Sequence, residues 1–86
     1  MKLFKASIKI TLRENILDVQ GKTVENALHS LEYNDINQIR IGKYVELNIN
    51  AENENSALER VNKACEQLIA NPIIEDYFVT IKEITN

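Results

Sequence analysis

Apolar and polar residues alternate strictly at the start of the chain. Phe4, Ala6, Ile8, Ile10 and Leu12 are separated by Lys5, Ser7, Lys9 and Thr11. A period of two predicts a strand with one buried face. After Asp18 the period changes. Val24, Ala27, Leu28 and Leu31 fall at i, i+3, i+4 and i+7, the apolar stripe of a helix. Asp18 is placed to cap that helix, because a carboxylate there accepts backbone N–H groups of the first turn. Gly21 inside the helix costs about 1 kcal/mol relative to alanine, and points to something approaching the backbone closely. Tyr33-Asn34-Asp35 reads as the exit turn.

The middle segment has Ile39, Ile41, Val45, Leu47 and Ile49 all on odd numbers. A two-residue hairpin turn at Gly42-Lys43 would put Val45 and Leu47 on the face opposite Ile39 and Ile41. The unbroken phase favours one long strand bent at Gly42. A bulge would restore the hairpin, so both readings stay open. Asn53 or Asn55 then caps a second helix, whose stripe is Ala57, Leu58, Val61, Ala64, Cys65, Leu68 and Ile69. Pro72 helps to stop it and biases Asn71 away from helical geometry. Tyr77, Val79 and Ile81 mark a last strand. The order β-α-β-α-β closes as two helices on one face of a mostly antiparallel sheet, an α+β two-layer sandwich. The other sheet face carries Lys5, Lys9, Glu46 and Lys82 together with the aromatics Tyr44 and Phe78. Free sheet edges and that face point to self-association.

Composition narrows the class. The 86 residues, 44% hydrophobic and 27% charged, make one soluble domain over 1–86. A chain this short buries only roughly 60–65% of its unfolded surface, so its core is thin. The net charge of −3 argues against nucleic acid or an anionic membrane as main partner. No apolar run approaches the roughly 18 residues of a membrane helix. The alternation from Phe4 to Leu12 is not a signal peptide, and the single Cys65 makes no internal disulfide. A cytoplasmic protein is expected.

Candidate chemistry is sparse. Gly21-Lys22-Thr23 suggests a phosphate loop, but the second glycine that such a loop needs five residues earlier is Ile16. Val19-Gln20-Gly21 is similar to the anion loop of acylphosphatases. The arginine required four residues after that glycine is Glu25, which would repel an anion. Cys65 lies on the second helix's stripe and reads as a core residue. His29 reads as a surface partner of Glu25, four residues earlier. One cysteine and one histidine far apart do not make a zinc site. Glu75-Asp76 reads as a turn leading into the last strand. Lys22, Arg40 and Lys43 would meet a partner's acidic surface if the bend and the helix start share an edge.

Four blocks together carry a resemblance. They are Asp18-Val19-Gln20-Gly21-Lys22-Thr23-Val24, Ala27-Leu28-His29-Ser30-Leu31, Ile39-Arg40-Ile41-Gly42-Lys43-Tyr44-Val45-Glu46-Leu47 and Ala70-Asn71-Pro72-Ile73-Ile74-Glu75-Asp76-Tyr77. In this order, nearly end to end, they resemble PurS, the small-subunit family of phosphoribosylformylglycinamidine synthase. Val19 stands where the family often has proline, which suits a first helical position without being required there.

The resemblance implies a non-catalytic subunit that bridges a large synthetase subunit and a glutaminase subunit. The assembled enzyme converts formylglycinamide ribonucleotide to formylglycinamidine ribonucleotide in purine biosynthesis. ATP and magnesium belong to the complex, and no cofactor belongs to this chain. A homo-oligomer, dimer or tetramer, is also implied, on a fold related to ferredoxin-like ones. Gln20, Gly21, Lys22, Arg40, Gly42 and Lys43 are the partner-interface candidates. The competing reading is a regulatory module that binds a small ligand. Such modules usually have glycine between first strand and first helix, and Arg13-Glu14-Asn15-Ile16-Leu17-Asp18 has none.

Overall fold

The structure is a computed structural model that describes residues 1–85. Asn86, the last residue of the expected 1–86 domain, lies outside the described residues. Strand β1, Lys2–Leu12, is the centre of a three-stranded antiparallel sheet. It pairs on one side with β2, Lys43–Ala51, and on the other with β3, Glu75–Glu83. Ile8 lies opposite both Val45 and Val79, and Lys9 lies opposite both Tyr44 and Phe78. The register therefore sorts the two faces as the alternation predicts. Phe4, Ala6, Ile8 and Ile10 are buried, flanked by the half-buried row Val45, Leu47 and Ile49 on β2 and Tyr77, Val79 and Ile81 on β3.

Helix α2, Glu54–Ala64, covers that inner face. Of the two possible caps Asn53 is used: its side chain accepts the Ser56 N–H at 2.8 Å. Ala57, Val61 and Cys65 are buried on β1's apolar row. At Cys65 the helix changes to a π-helical turn, Cys65–Ile69, closed by the Ala70 N–H donating to the Cys65 carbonyl at 2.9 Å. The wider turn shifts the helical phase. Ile69 and Ala70 turn inward, while Leu68, expected on the buried stripe, is 87% exposed.

Helix α1, Val19–Ser30, departs from the expected layer. The α+β class and the β-α-β-α-β order hold, but only α2 lies on the sheet. Gly21 is α1's single buried residue, and Leu31 on its apolar stripe is 68% exposed. The molecule measures 52 × 31 × 14 Å. An 11-residue strand and a 12-residue helix laid end to end nearly fill that long axis. The radius of gyration is 16.7 Å, against about 12 Å for a compact domain of this length. Helix α1 is thus an arm that extends the sheet's axis. The middle strand is also shorter than expected. It is neither a long strand bent at Gly42 nor one half of a tight hairpin, and begins at Lys43.

The π-helical turn makes a direct prediction. Leu68→Ala should change unfolding free energy by no more than about 0.5 kcal/mol, whereas Ile8→Ala should cost about 2–5 kcal/mol. Urea denaturation of the two variants reads this. A Leu68→Ala cost comparable to Ile8→Ala would place Leu68 in the core.

Candidate functional site

The candidate residues gather where α1 meets the sheet. Gly21, Glu25 and His29 recur at i, i+4 and i+8, one row along the helix. The chain after the exit turn runs back along this row. Gly21 presents bare backbone to the Ile39 carbonyl, and a Cβ there would fall on that oxygen. Glu25 Oε1 accepts the Ile39 N–H at 3.2 Å. His29 Nε2 donates to the Ile36 carbonyl at 2.8 Å, so His29 serves the returning chain and not a surface pair with Glu25. Asp18 joins both segments: Oδ1 accepts the Gly21 N–H at 2.8 Å and Oδ2 accepts the Ile41 N–H at 2.7 Å.

These bonds explain why the middle strand starts late. The Ile39 and Ile41 N–H groups would serve a sheet ladder in an extended strand. Here two carboxylates take them. Gln38, at φ 57°, also breaks the extended path ahead of Ile39. Gly42 then crosses the Ile10 carbonyl at a distance only a residue without Cβ permits, and ladder pairing begins with Lys43 opposite Ile10.

Five of the six interface candidates line two clefts that share Leu17 and Asp18. Gln20, Gly42 and Lys43 border a cleft of about 370 Å³, and Lys22 and Arg40 border one of about 410 Å³. Gly21 lies beneath them, buried. The three cations do not form a bare positive patch. Lys22 lies 3.9 Å from Glu25, Arg40 lies 3.9 Å from Glu14 and also donates to the Leu12 carbonyl, and Lys43 lies 3.2 Å from Glu75. The Arg40–Glu14 pair is exposed and contributes about 0–1 kcal/mol, whereas Glu25 and Glu75 are largely covered and only their lysine partners are exposed. The main consequence of the three pairs is to neutralise the surface locally.

Two carboxylates are tuned by these contacts. The Gly21 N–H first, then the Ile41 N–H, hold the Asp18 carboxyl below its usual range; burial opposes them, and the nearby Arg40 charge adds a lesser lowering. Glu75 is 9% exposed. The Asn71 N–H, donated at 2.7 Å, leads in lowering its pKa, with Lys43 adding to it and burial opposing. Cys65 is fully buried, and burial pushes its thiol pKa up, away from the thiolate a nucleophile needs. Among the described residues no group of three or more His, Cys, Asp or Glu side chains is placed to hold a metal ion. No helix among them is long and apolar enough to cross a membrane.

Sequence reasoning found Asp18 as a cap but missed its second oxygen, and it missed Glu25 and Glu75 as binders of backbone N–H groups. Nothing in spacing marks a carboxylate that serves a segment distant in sequence. The glycine in mid-helix was the available signal. It announced a close approach, which is made by the chain's own Ile39.

Comparison with known proteins extends over nearly the whole chain. Residues 5–83 match the family PurS, phosphoribosylformylglycinamidine (FGAM) synthase. The chain is 40% identical over 82 residues to phosphoribosylformylglycinamidine synthase subunit PurS of Bacillus subtilis, covering 95% of this chain and 96% of that one. It superposes on the PurS crystal structure of Methanocaldococcus jannaschii with a TM-score of 0.85 at 33% identity, covering 95% of this chain and 99% of that one. It also superposes on a chain of the PurLQS structure from Thermotoga maritima, with a TM-score of 0.83 at 38% identity, covering 98% of this chain and 100% of that one.

Two outcomes test the junction. Gly21→Ala gains about 1 kcal/mol of helix propensity but forces backbone apart at Ile39, an overpacking that costs about 1–3 kcal/mol, so the variant should be net destabilised. Asp18 and Glu75 have lowered folded-state pKa values, so the unfolded state binds protons first as pH falls. Their stabilisation is complete above the ordinary carboxylate range and is lost as pH drops through the folded-state values. Melting temperature followed from pH 7 downward should fall less steeply for Asp18→Asn with Glu75→Gln than for the parent. Identical acid limbs would remove these two groups from the account.

Proposed function

Because the chain belongs to the PurS family of phosphoribosylformylglycinamidine synthase, we propose that its single domain is the non-catalytic small subunit bridging the synthetase and glutaminase subunits of that enzyme. The enzyme converts formylglycinamide ribonucleotide to formylglycinamidine ribonucleotide in purine biosynthesis, with ATP and with ammonia from glutamine. In this reading ATP and magnesium stay with the large subunit, and the assembly works in the cytoplasm. The observation that carries the reading is the end-to-end likeness to a chain of the PurLQS structure. The junction chemistry supports it. Asp18, Glu25, His29 and Glu75 direct their polar atoms at this chain's own backbone, as a scaffold requires.

The physical benefit of such a subunit is proximity. Ammonia released into neutral water is protonated and diluted. Docked active sites that exclude water keep it reactive, in the way that holding reactants together removes an entropic barrier. The exposed candidates Gln20, Lys22, Arg40, Gly42 and Lys43 are the proposed partner contacts, with Gly21 setting their spacing from beneath. Self-association of the chain belongs to the same reading.

Reconstitution tests it. Glutamine-dependent synthesis by the cognate synthetase and glutaminase should be lost when this chain is omitted, while ammonia-dependent synthesis by the large subunit persists. Gln20 is the cleanest position for a docking variant, because it is exposed and its replacement leaves the ion pairs of Lys22, Arg40 and Lys43 intact. Gln20→Arg should weaken assembly without lowering the melting temperature. Undiminished glutamine-dependent turnover without the chain would refute the bridging role.

A further inference from the structure

Among the described residues, no element covers the outer face of the sheet. The register sets Tyr44, Lys9 and Phe78 side by side across β2, β1 and β3. Strands about 4.8 Å apart put the two aromatic positions about 10 Å from each other, with the lysine between them. Tyr44 is 58% exposed and Phe78 is 68% exposed. The charges on this face are uneven. Glu46 is engaged by Lys5, and Asp76 lies 3.7 Å from Arg13. Lys9 and Lys82 have no ion-pair partner among the described residues. The chain as a whole has a net charge of −3, so this face runs against the charge of the molecule that carries it.

A surface that covers both rings also covers Lys9. An ammonium removed from water needs a carboxylate beside it, so the surface that fits here is apolar around an Asp or Glu. The outer face of a second copy is a poor match, because it brings unpaired lysines of its own and its carboxylates are already engaged. The first cleft beside Asp18 opens on the opposite side of the sheet. Its sheet residues Ile10, Leu12, Lys43 and Glu75 belong to the inner rows of their strands. A chain that bridges two subunits needs two separate surfaces, and these two also differ in kind. The cations around the clefts are paired, whereas Lys9 and Lys82 are free to act at a distance. We propose that the outer face is the second docking surface of the bridge. It receives an acidic, partly apolar surface of one of the two other subunits, and the clefts receive the other subunit.

The proposal rests on the bridging role and names one of its surfaces. Binding of the chain to each cognate subunit, followed by surface plasmon resonance under the conditions of the reconstitution assay, tests it. Lys9→Glu should slow association with one subunit about fivefold or more at low salt, and the difference should shrink as salt is raised. The milder Lys9→Gln should fall between this variant and the parent. Phe78→Ala should leave the association rate with that subunit nearly unchanged and speed dissociation about tenfold or more. Lys63→Glu makes the same change of charge on the exposed side of α2 and should bind as the parent does. All four side chains are exposed or lie on the exposed face, so melting temperatures should stay close to the parent's. Normal binding of Lys9→Glu and Phe78→Ala to both subunits overturns the face and leaves the bridging role standing. Equal slowing by Lys63→Glu also overturns it, since net charge alone would then act. Light scattering adds the last outcome: a change in the mass of the isolated chain with Lys9→Glu or Phe78→Ala gives the face to a second copy, against the proposal. A parent that binds neither subunit refutes the bridging role itself.

Discussion

One carboxylate organises the molecule. Asp18 caps α1 with one oxygen and holds the Ile41 N–H with the other. Both bonds are charge-assisted, and such bonds are worth roughly twice neutral ones. Together they fix where α1 begins, where the returning chain ends and how β2 approaches β1. The two glycines of the chain sit on either side of this anchor for one reason. At each a carbonyl, Ile39's at Gly21 and Ile10's at Gly42, occupies the place where a Cβ would stand. Neither glycine has a positive φ, so close approach and not backbone freedom accounts for both.

What the pattern of residues reveals follows from what periodicity measures. Alternation reports which side chains share a side, so both sheet faces and the buried row of β1 were legible. Capping chemistry placed α1 after Asp18 and α2 after Asn53. The same logic failed where a side chain's phase says nothing about its partner. The stripe Val24, Ala27, Leu28 and Leu31 announces burial but not the surface that provides it, and it was assigned to this chain's own sheet. Ile39 and Ile41 keep the odd phase of β2, yet their N–H groups are bound to Asp18 and Glu25 and form no ladder. Leu68 follows a 3.6-residue period that the π-helical turn interrupts.

Within the candidate site, residue types were legible and relations were not. The cations Lys22, Arg40 and Lys43 do converge near Asp18. Their partners Glu14, Glu25 and Glu75 come from three separate segments, and only the fold brings them together. The pairing changes the physical character of the surface. A patch of unpaired cations would steer an acidic partner over a distance, with strong dependence on salt. A neutralised surface recognises a partner by shape and short contacts instead. The Lys5–Glu46 pair on the outer sheet face has the same effect, with the Glu46 carboxylate raising the Lys5 pKa.

The anchor also determines which surfaces stay available. Because Asp18, Glu25 and His29 hold α1 beyond the sheet, Leu31 of the α1 stripe stays exposed and the inner row of β2 stays half-open. The clefts around Asp18 and the outer face, where Lys9 stands between Tyr44 and Phe78, are separate from both. Had α1 folded onto its own sheet, the core would be thicker and the chain would present the sheet's outer face and its edges. Extending the arm gives up burial within one protomer and leaves the stripe, the row and the clefts as distinct surfaces. In 86 residues that division comes from where a single aspartate sends its two oxygens.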